Sequence, residues 1–173
     1  MAAVDGERNT DRPNPALPTV LIGLGLGGLF DGIVLHQILQ WHHMLSAHLP
    51  PDTLANLELN TLADGLFHAS TWILTTIGLV LLYGRLRDGA SLRWRGLFGG
   101  LLAGWGGFNV AEGIIDHHLL GVHHVRPGPH EFLYDIGFLI WGAVMLVGGW
   151  FLLRRGREET RARAAASHAS PQP

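Results

Sequence analysis

Acidic residues and histidines recur in this chain as two copies of one pattern, which begin at Asp31 and at Glu112. We call the shift between these two residues the repeat interval. In each copy the acidic residue precedes a glycine, a histidine lies five residues after the acid, and a pair of histidines begins six residues later. Imidazole nitrogens and carboxylate oxygens together suit zinc, iron, manganese and copper(II). The repeated residues are Asp31, His36, His42 and His43 in the first copy, and Glu112, His117, His123 and His124 in the second.

Two further acids follow a related pattern. Asp64 and Asp135 are related by a somewhat shorter shift, and His68 follows Asp64 by one helical turn. Four carboxylates facing one low-dielectric interior cannot all stay ionised without cations, so protons or metal ions must balance them. Carboxylates also serve as partners that fix the tautomer of a ligating imidazole. The predicted metal ligands are Asp31, His36, His42, Asp64, His68, Glu112, Asp116, His117, His123 and Asp135.

The helical wheel separates these candidates into two sectors. With about 100° of rotation per residue, an unbroken helix places His117 about 120° or more from Glu112. Asp31 and His36 are separated in the same way in the first copy. Adjacent histidines diverge by about 100°, so we expect one member of each histidine pair to close a site above the carboxylates.

Several interpretations fit these residues. A metal or cofactor site is favoured because two related copies combine imidazoles with four acids. A proton relay or ion pathway would use the same groups without a metal, and interhelical hydrogen bonding would use them only structurally. A b-type haem held by His36 and His117 is also open, although four carboxylates make an unusual haem pocket. The zincin motif His-Glu-x-x-His and the Glu-x-x-His pair of soluble di-iron bundles do not occur in the sequence.

Four apolar runs must position these groups. Each contains about 20 residues, the length that a helix needs to cross a hydrocarbon layer of ~30 Å. The mean hydropathy of the whole chain is only +0.22, because polar tails and histidine-rich loops dilute the apolar runs. Acids and histidines inside such spans are costly and usually functional. The predicted spans cover residues 19–40, 61–83, 94–115 and 132–153.

The distribution of arginine predicts the orientation. The chain has no lysine, and its lack of cysteine excludes disulfides and thiolate ligands. Arginines flank the predicted spans on one side, whereas the loops at residues 41–60 and 116–131 contain only Arg126. The positive-inside rule places both termini in the cytoplasm and the histidine-rich loops outside. We therefore expect a multi-pass protein of the bacterial inner membrane.

The repeat predicts an all-α architecture: an integral membrane four-helix bundle made of two tandem helical hairpins. Both hairpins have the same orientation, so a pseudo-two-fold axis along the membrane normal should relate them. Glycines in the first and third spans favour close packing between the copies. The predicted organisation is a disordered cytoplasmic tail at residues 1–17, a transmembrane domain at 18–153, and an Arg/Ala-rich disordered cytoplasmic tail at 154–173.

Three segments carry a resemblance to a known family. They cover residues 31–43, 64–68 and 108–127, where the acids, glycines and histidines of the repeat lie. These segments resemble a bacterial family of predicted four-helix membrane proteins classed as a domain of unknown function. The resemblance extends over residues 18–153. It implies the membrane fold and brings no assigned activity.

The favoured function is transition-metal binding in the outer half of the bundle. A metal-dependent oxidoreductase or hydrolase is the enzyme hypothesis, and an open coordination position beside a substrate-sized apolar pocket would favour it. The alternative is proton or metal-ion handling, including metal delivery to a respiratory or secreted enzyme, without catalysis. The expected partners are the lipid bilayer and an ion of zinc, iron, copper or manganese. Homo-oligomers and a respiratory-complex partner stay open, whereas a net charge of −2 without a basic patch argues against nucleic acid.

Overall fold

The computed structural model describes residues 15–169, and these residues form four α-helices. Two of the helices continue into segments of wider π-helical winding, which we name π1 and π2. The elements in chain order are α1 (Ala16–Phe30), π1 (Asp31–Ile38), α2 (Leu54–Arg87), α3 (Trp94–Glu112), π2 (Gly113–Leu119) and α4 (Glu131–Ala169).

The prediction of an all-helical protein is confirmed, whereas the prediction of four apolar spans is met for three. Within the described residues, three helical segments are long and apolar enough to cross a membrane: Ala16–Ile38, Leu54–Arg87 and Glu131–Arg163. α3 is helical as expected, but six of its 19 residues are glycine, which makes it less apolar. Several of these glycines face neighbouring helices, because α3 packs against both α1 and α4.

The helices are longer than the apolar runs that predicted them. α2 begins seven residues before position 61, where the Thr53 side chain accepts a hydrogen bond of 3.2 Å from the Asn56 amide and caps the helix. The prediction of a disordered tail from residue 154 is wrong up to Ala169, because α4 continues to that residue. Arginine, alanine and glutamate favour helix there, and Arg154 pairs with Glu158 one turn later at 3.2 Å. Residues 1–14 of the first predicted tail, 1–17, and 170–173 of the second lie outside the described residues, whereas Ala16 and Leu17 belong to α1.

α1 and α3 form the centre of the bundle. They approach so closely that a methyl group on Gly23 would overlap the backbone of Leu101, and one on Gly104 would overlap the backbone of Val20. α2 packs against α1, and α4 packs against α3. Each central helix is therefore paired with the helix that follows it in the chain.

The two ends of the bundle differ in chemistry. At one end the Thr19 hydroxyl donates to the Gly96 carbonyl at 3.4 Å, and Arg95 of α3 forms an ion pair with Glu159 of α4. At the other end lie the loops that follow π1 and π2, where the Ala47 amide donates to the Val122 carbonyl at 3.0 Å. The repeated histidines gather at this second end.

Burial in the bundle is reversed relative to a water-soluble protein. Large apolar side chains such as Leu66, Trp72 and Ile140 are more than half exposed, whereas Asp31 and Asp64 are 2% and 1% exposed. Lipid is as apolar as a protein core, so apolar side chains gain little by turning inward, while polar ones must find protein partners. This pattern is that of a bundle surrounded by hydrocarbon.

Candidate metal centre

The π-helical segments bring each acid onto the same face as its histidine. Asp31 and His36 are five residues apart, a separation that places them about 140° apart on an α-helix. In a π-helix the backbone repeats from i to i+5, so residues five apart lie above one another. His36 Nε2 is accordingly 3.2 Å from Asp31 Oδ2. The prediction that these two residues lie in different sectors is wrong, because the helix changes its winding at Asp31.

Both π segments end in the same way, at positions separated by the repeat interval. The amide of Leu39 donates to Val34 and that of Leu120 donates to Ile115, in each case over five residues and 2.8 Å. The backbone then takes a left-handed conformation, with φ of 49° at Gln40 and 56° at Gly121. This turn ends the helix and directs the following histidines back over the bundle.

Three imidazoles from both copies converge at this end. One potential ligand atom each from His36, His42 and His123 lies within 4.8 Å of the other two, and all three side chains are buried. The rings of His42 and His123 are stacked with centroids 4.6 Å apart, and the His36 ring meets that of His42 edge-on at 4.4 Å. We call this set the first ligand group.

A second set of residues overlaps the first. Potential ligand atoms of Glu112, His117 and His123 also lie within 4.8 Å of one another, and these residues are buried as well. Glu112 Oε1 is 3.5 Å from His123 Nε2. We call this set the second ligand group, and His123 belongs to both.

Backbone carbonyls of the opposite copy hold His42 and His123 in place. His42 Nδ1 donates to the carbonyl of Val125 at 2.8 Å, and His123 Nδ1 donates to the carbonyl of Met44 at 3.2 Å. A carbonyl accepts only, so each ring carries a proton on Nδ1 and presents the lone pair of Nε2. Met44 and Val125 are themselves separated by the repeat interval, so each copy donates the same hydrogen bond to the other.

Asp64 and Asp135 lie behind the imidazoles. Asp64 contacts His36 Nδ1 at 2.9 Å and His43 Nδ1 at 2.7 Å, and its Oδ1 accepts from the Met44 amide at 2.9 Å. Such a carboxylate orients a ligating imidazole and raises its basicity. The Asp64 carboxylate therefore lies on the far side of His36 from the point where the imidazoles converge.

The corresponding contacts recur around Asp135. This carboxylate contacts His124 Nδ1 at 2.7 Å and accepts from the Val125 amide at 2.9 Å. Its Oδ1 is 3.4 Å from His117 Nδ1. Asp135 thus has the position behind His117 that Asp64 has behind His36.

The inward-facing atoms of the cluster have no hydrogen-bond partner among the described residues. They are Nε2 of His36, His42, His117 and His123, Oδ2 of Asp31, and both carboxylate oxygens of Glu112. An unpartnered buried polar group costs about 1–3 kcal/mol, so native proteins rarely retain several together. A cation placed among these atoms would satisfy them, and the donor set of nitrogen and oxygen suits a transition metal.

Burial keeps the two loop histidines neutral. It lowers the pKa of His42 to about 4, and the nearby His36 lowers this pKa further. Burial likewise lowers the pKa of His123 to about 2, with His42 and His117 adding to the effect. A metal ligand must be deprotonated, and at neutral pH both imidazoles are in that form.

Five of the ten predicted ligands belong to neither ligand group. Asp31, Asp64 and Asp135 contact histidines of the groups, whereas His68 and Asp116 lie apart. Within the part of the chain that the structure describes, His68 is half-buried against Gly32, and its Nε2 has no hydrogen-bond partner. Asp116 is half-buried on π2 and belongs to neither ligand group. Counting α-helical turns from Glu112 placed Asp116 with the cluster, and the wider winding of π2 alters that count. His68 does lie one α-helical turn after Asp64 on α2, but its ring lies against Gly32.

The sequence interpretation missed some parts of the centre. It gave His43 and His124 no role, although they clamp the carboxylates of Asp64 and Asp135. It also missed the carbonyls of Met44 and Val125, which carry no signal in their side chains. The repeat interval between these two positions was the one indication available.

Comparison with known proteins yields one family. The family model described as "Predicted membrane protein (DUF2243)" matches residues 18–156. Neither the curated proteins nor the solved structures that were compared with the chain gave a match.

Proposed function

The chain belongs to this DUF2243 family of predicted membrane proteins, and we propose, from its histidine-carboxylate cluster, that it binds a transition metal ion within the membrane between its two halves. The ion would be resident in the protein; iron, copper or manganese would be redox-active there, whereas zinc would serve as a Lewis acid. The ligands would come from the first and second ligand groups, with Asp31 beside them. Asp64 and Asp135 would orient the imidazoles from behind.

One observation carries this proposal. The buried imidazoles of His42 and His123 donate through Nδ1 to backbone carbonyls. Their Nε2 atoms are buried in the cluster and have no hydrogen-bond partner among the described residues. A purely structural hydrogen-bond network would pair those Nε2 atoms, since leaving them unpaired costs stability. Fixed outer nitrogens with free inner nitrogens are the arrangement of a metal site with its supporting partners.

The donor set narrows the choice of ion. Four imidazoles with two carboxylates and no thiolate favour zinc, iron, copper(II) or manganese over the softer copper(I). Donors around one such ion lie about 2.0–2.2 Å from it, so a spread of up to 4.8 Å within a group requires only a small contraction. A haem held by His36 and His117 is less compatible, because the His123 ring lies against the rings of both residues, with centroids 5.8 and 4.9 Å away, where the macrocycle would have to fit.

We further propose that the two hairpins are related by a pseudo-two-fold axis along the membrane normal. The contacts that recur at the repeat interval support this relation. In one pair of them, His42 of the first copy donates to the Val125 carbonyl of the second, and His123 of the second copy donates to the Met44 carbonyl of the first. The two overlapping ligand groups share His123, whose Nε2 offers a single lone pair, so His123 would bind one ion. The arginine distribution supports a multi-pass topology with cytoplasmic termini and the centre in the outer half of the membrane.

Elemental analysis of the purified full-length protein tests the proposal. We expect a stoichiometric transition metal in the wild type and in His130→Ala, an exposed loop histidine that serves as the control. Glu112→Ala and His117→Ala should each lose metal while keeping the helical content measured by circular dichroism.

An optical spectrum and an electron paramagnetic resonance spectrum separate the alternatives. A Soret band would show that the protein binds haem instead of a metal ion held by side chains alone. A metal that a chelator removes within the time of purification would indicate cargo and therefore ion delivery, whereas a resident centre should survive it. A folded wild type that takes up no metal on reconstitution would overturn the proposal.

A further inference from the structure

An aromatic cavity adjoins the cluster. It has a volume of about 330 Å³ and lies between α1, α3 and α4, beneath the loops that follow π1 and π2. Ligand pockets for small molecules start at about 300 Å³, which is room for one ring with short substituents. Half of its twelve lining residues are aromatic: Phe30, Trp41, Trp105, Tyr134, Phe138 and Trp141.

Two buried polar side chains reach the wall of this otherwise apolar space. They belong to Asp31 and Asn109, which are 2% and 3% exposed. Asn109 offers both a donor and an acceptor through its amide group. Asp31 connects the cavity to the cluster, because its Oδ2 is 3.2 Å from His36 Nε2 and has no hydrogen-bond partner among the described residues.

The cavity communicates with the lipid-facing surface. Its lining residues Phe30, Leu133 and Trp141 are also 48%, 66% and 59% exposed on the outside of the bundle. At the loop end, Arg126 lies over the rings of Trp41 and Tyr134, at 5.2 and 5.5 Å from their centroids. The wall of the cavity is therefore continuous with the side of the bundle that faces lipid.

We propose that this cavity binds a lipid-soluble ring compound that carries a hydroxyl or carbonyl group, of the phenol, quinol or quinone class. The ring packs among the aromatic side chains, which favour offset or edge-to-face contacts with another ring. Its polar group meets Asp31 and Asn109, and any hydrocarbon tail extends into the lipid. The cavity stands on its own geometry, but the role of its ligand as the substrate of the metal centre rests on the proposed function.

The polar wall distinguishes a ring compound from an acyl chain. A plain hydrocarbon chain has no group to pair with Asp31 or Asn109, and leaving such groups against hydrocarbon is unfavourable. A hydroxyl on a ring of the right size donates to the Asp31 carboxylate or accepts from the Asn109 amide. This position also brings the ring's oxygen to the residue that borders the first ligand group.

Binding of a decyl-substituted benzoquinone to the full-length protein in detergent tests the inference. Quinones quench tryptophan fluorescence, and Trp41, Trp105 and Trp141 line the cavity. Gly137 also lines it, and a Cβ added there meets no atom within 4 Å, so Gly137→Leu adds bulk at the cavity wall from a position that has room for its Cβ. The matched control is Gly148→Leu on the same helix. A Cβ added there also meets no atom within 4 Å, and Gly148 does not line the cavity.

We expect saturable quenching in the wild type and in Gly148→Leu, and affinity at least about tenfold lower in Gly137→Leu, which corresponds to 1.4 kcal/mol. Equal affinity in the two leucine variants would overturn the inference, as would equally effective competition by decanol, which has the chain without the ring. Metal content is measured in the same samples. Quinone binding by a wild type that takes up no metal on reconstitution would refute the proposed function alone, and metal-loaded wild type without quinone binding would refute the cavity inference alone.

Discussion

The two halves of the centre contain corresponding residues, but the distances between their histidines and carboxylates differ. In the half built by residues 31–64, His36 lies between two carboxylates, 3.2 Å from Asp31 and 2.9 Å from Asp64. In the half built by residues 112–135, His117 is 3.4 Å from Asp135, and neither of its ring nitrogens has a hydrogen-bond partner among the described residues. His36 is therefore hydrogen-bonded through Nδ1 while its Nε2 faces Asp31 without a hydrogen bond, whereas His117 has no hydrogen bond at either nitrogen among the described residues.

The length of one side chain accounts for part of this difference. Glu112 corresponds to Asp31 but is one methylene longer. Asp31 reaches the histidine of its own π segment, whereas Glu112 Oε1 is 3.5 Å from His123, beyond the turn. The longer acid therefore links π2 to its following loop, and His123 becomes the residue common to both ligand groups.

The largest effect is expected when this shared residue is removed. His123→Ala should abolish metal binding in both groups, a loss of about 100-fold or more, since the loss of an outer partner alone costs 10–100-fold. His42→Ala removes a residue of the first group only and should leave part of the metal bound. Metal titration followed by elemental analysis measures both variants. If His42→Ala is as damaging as His123→Ala, the two groups form one site rather than two overlapping ones.

The supporting carboxylates should show the same asymmetry at a smaller scale. Asp64→Asn and Asp135→Asn keep the side-chain shape but weaken the hold on an imidazole, at an expected cost of about 10–100-fold in metal affinity. Asp64→Asn should be the more severe, because Asp64 contacts two imidazoles at 2.7 and 2.9 Å, whereas Asp135 contacts one at 2.7 Å and the other at 3.4 Å.

Isothermal titration with the ion found in the wild type measures both variants, and Asp52→Asn, on the exposed part of the loop, is the control. Equal losses would mean that the second half contracts around the ion until its contacts match those of the first. A larger loss in Asp135→Asn would reverse the comparison.

Sequence periodicity predicted the helices and the identity of most cluster residues, but not the way the backbone presents them. Hydrophobic runs revealed the spans, and the repeat interval paired Asp31 with Glu112 and His36 with His117. The π winding was not predictable, because a single shift from i→i+4 to i→i+5 bonding leaves no mark in the apolar pattern. The same shift explains why Asp116 lies apart from both ligand groups.

Helix ends were equally hard to predict from hydropathy. The prediction ended the fourth span at residue 153, where the apolar residues end, although helix formation continues to Ala169. Hydropathy reports the surrounding solvent, whereas the pairing of Arg154 with Glu158 stabilises the helix in water or at the interface. A high hydropathy and a helical backbone therefore coincide inside the membrane, whereas outside it a helix continues without apolar residues.

The smallest effect is expected at the turns that end π1 and π2, where the two halves differ by one residue. Gly121 has φ of 56°, a conformation that costs other L-residues about 1–2 kcal/mol, so Gly121→Ala should destabilise the protein by about 1 kcal/mol. The added methyl group meets no atom within 4 Å, so the cost comes from the backbone alone.

Gln40 already bears that cost at φ of 49°, and Gln40→Gly should relieve it. The gain is reduced by about 0.5–1 kcal/mol, because glycine loses more conformational freedom on folding, and the net change should be close to zero or slightly stabilising. Thermal unfolding of both variants in the same detergent measures the difference. If Gln40→Gly destabilises the protein by more than Gly121→Ala does, the glutamine side chain rather than the turn holds the first half of the centre in place.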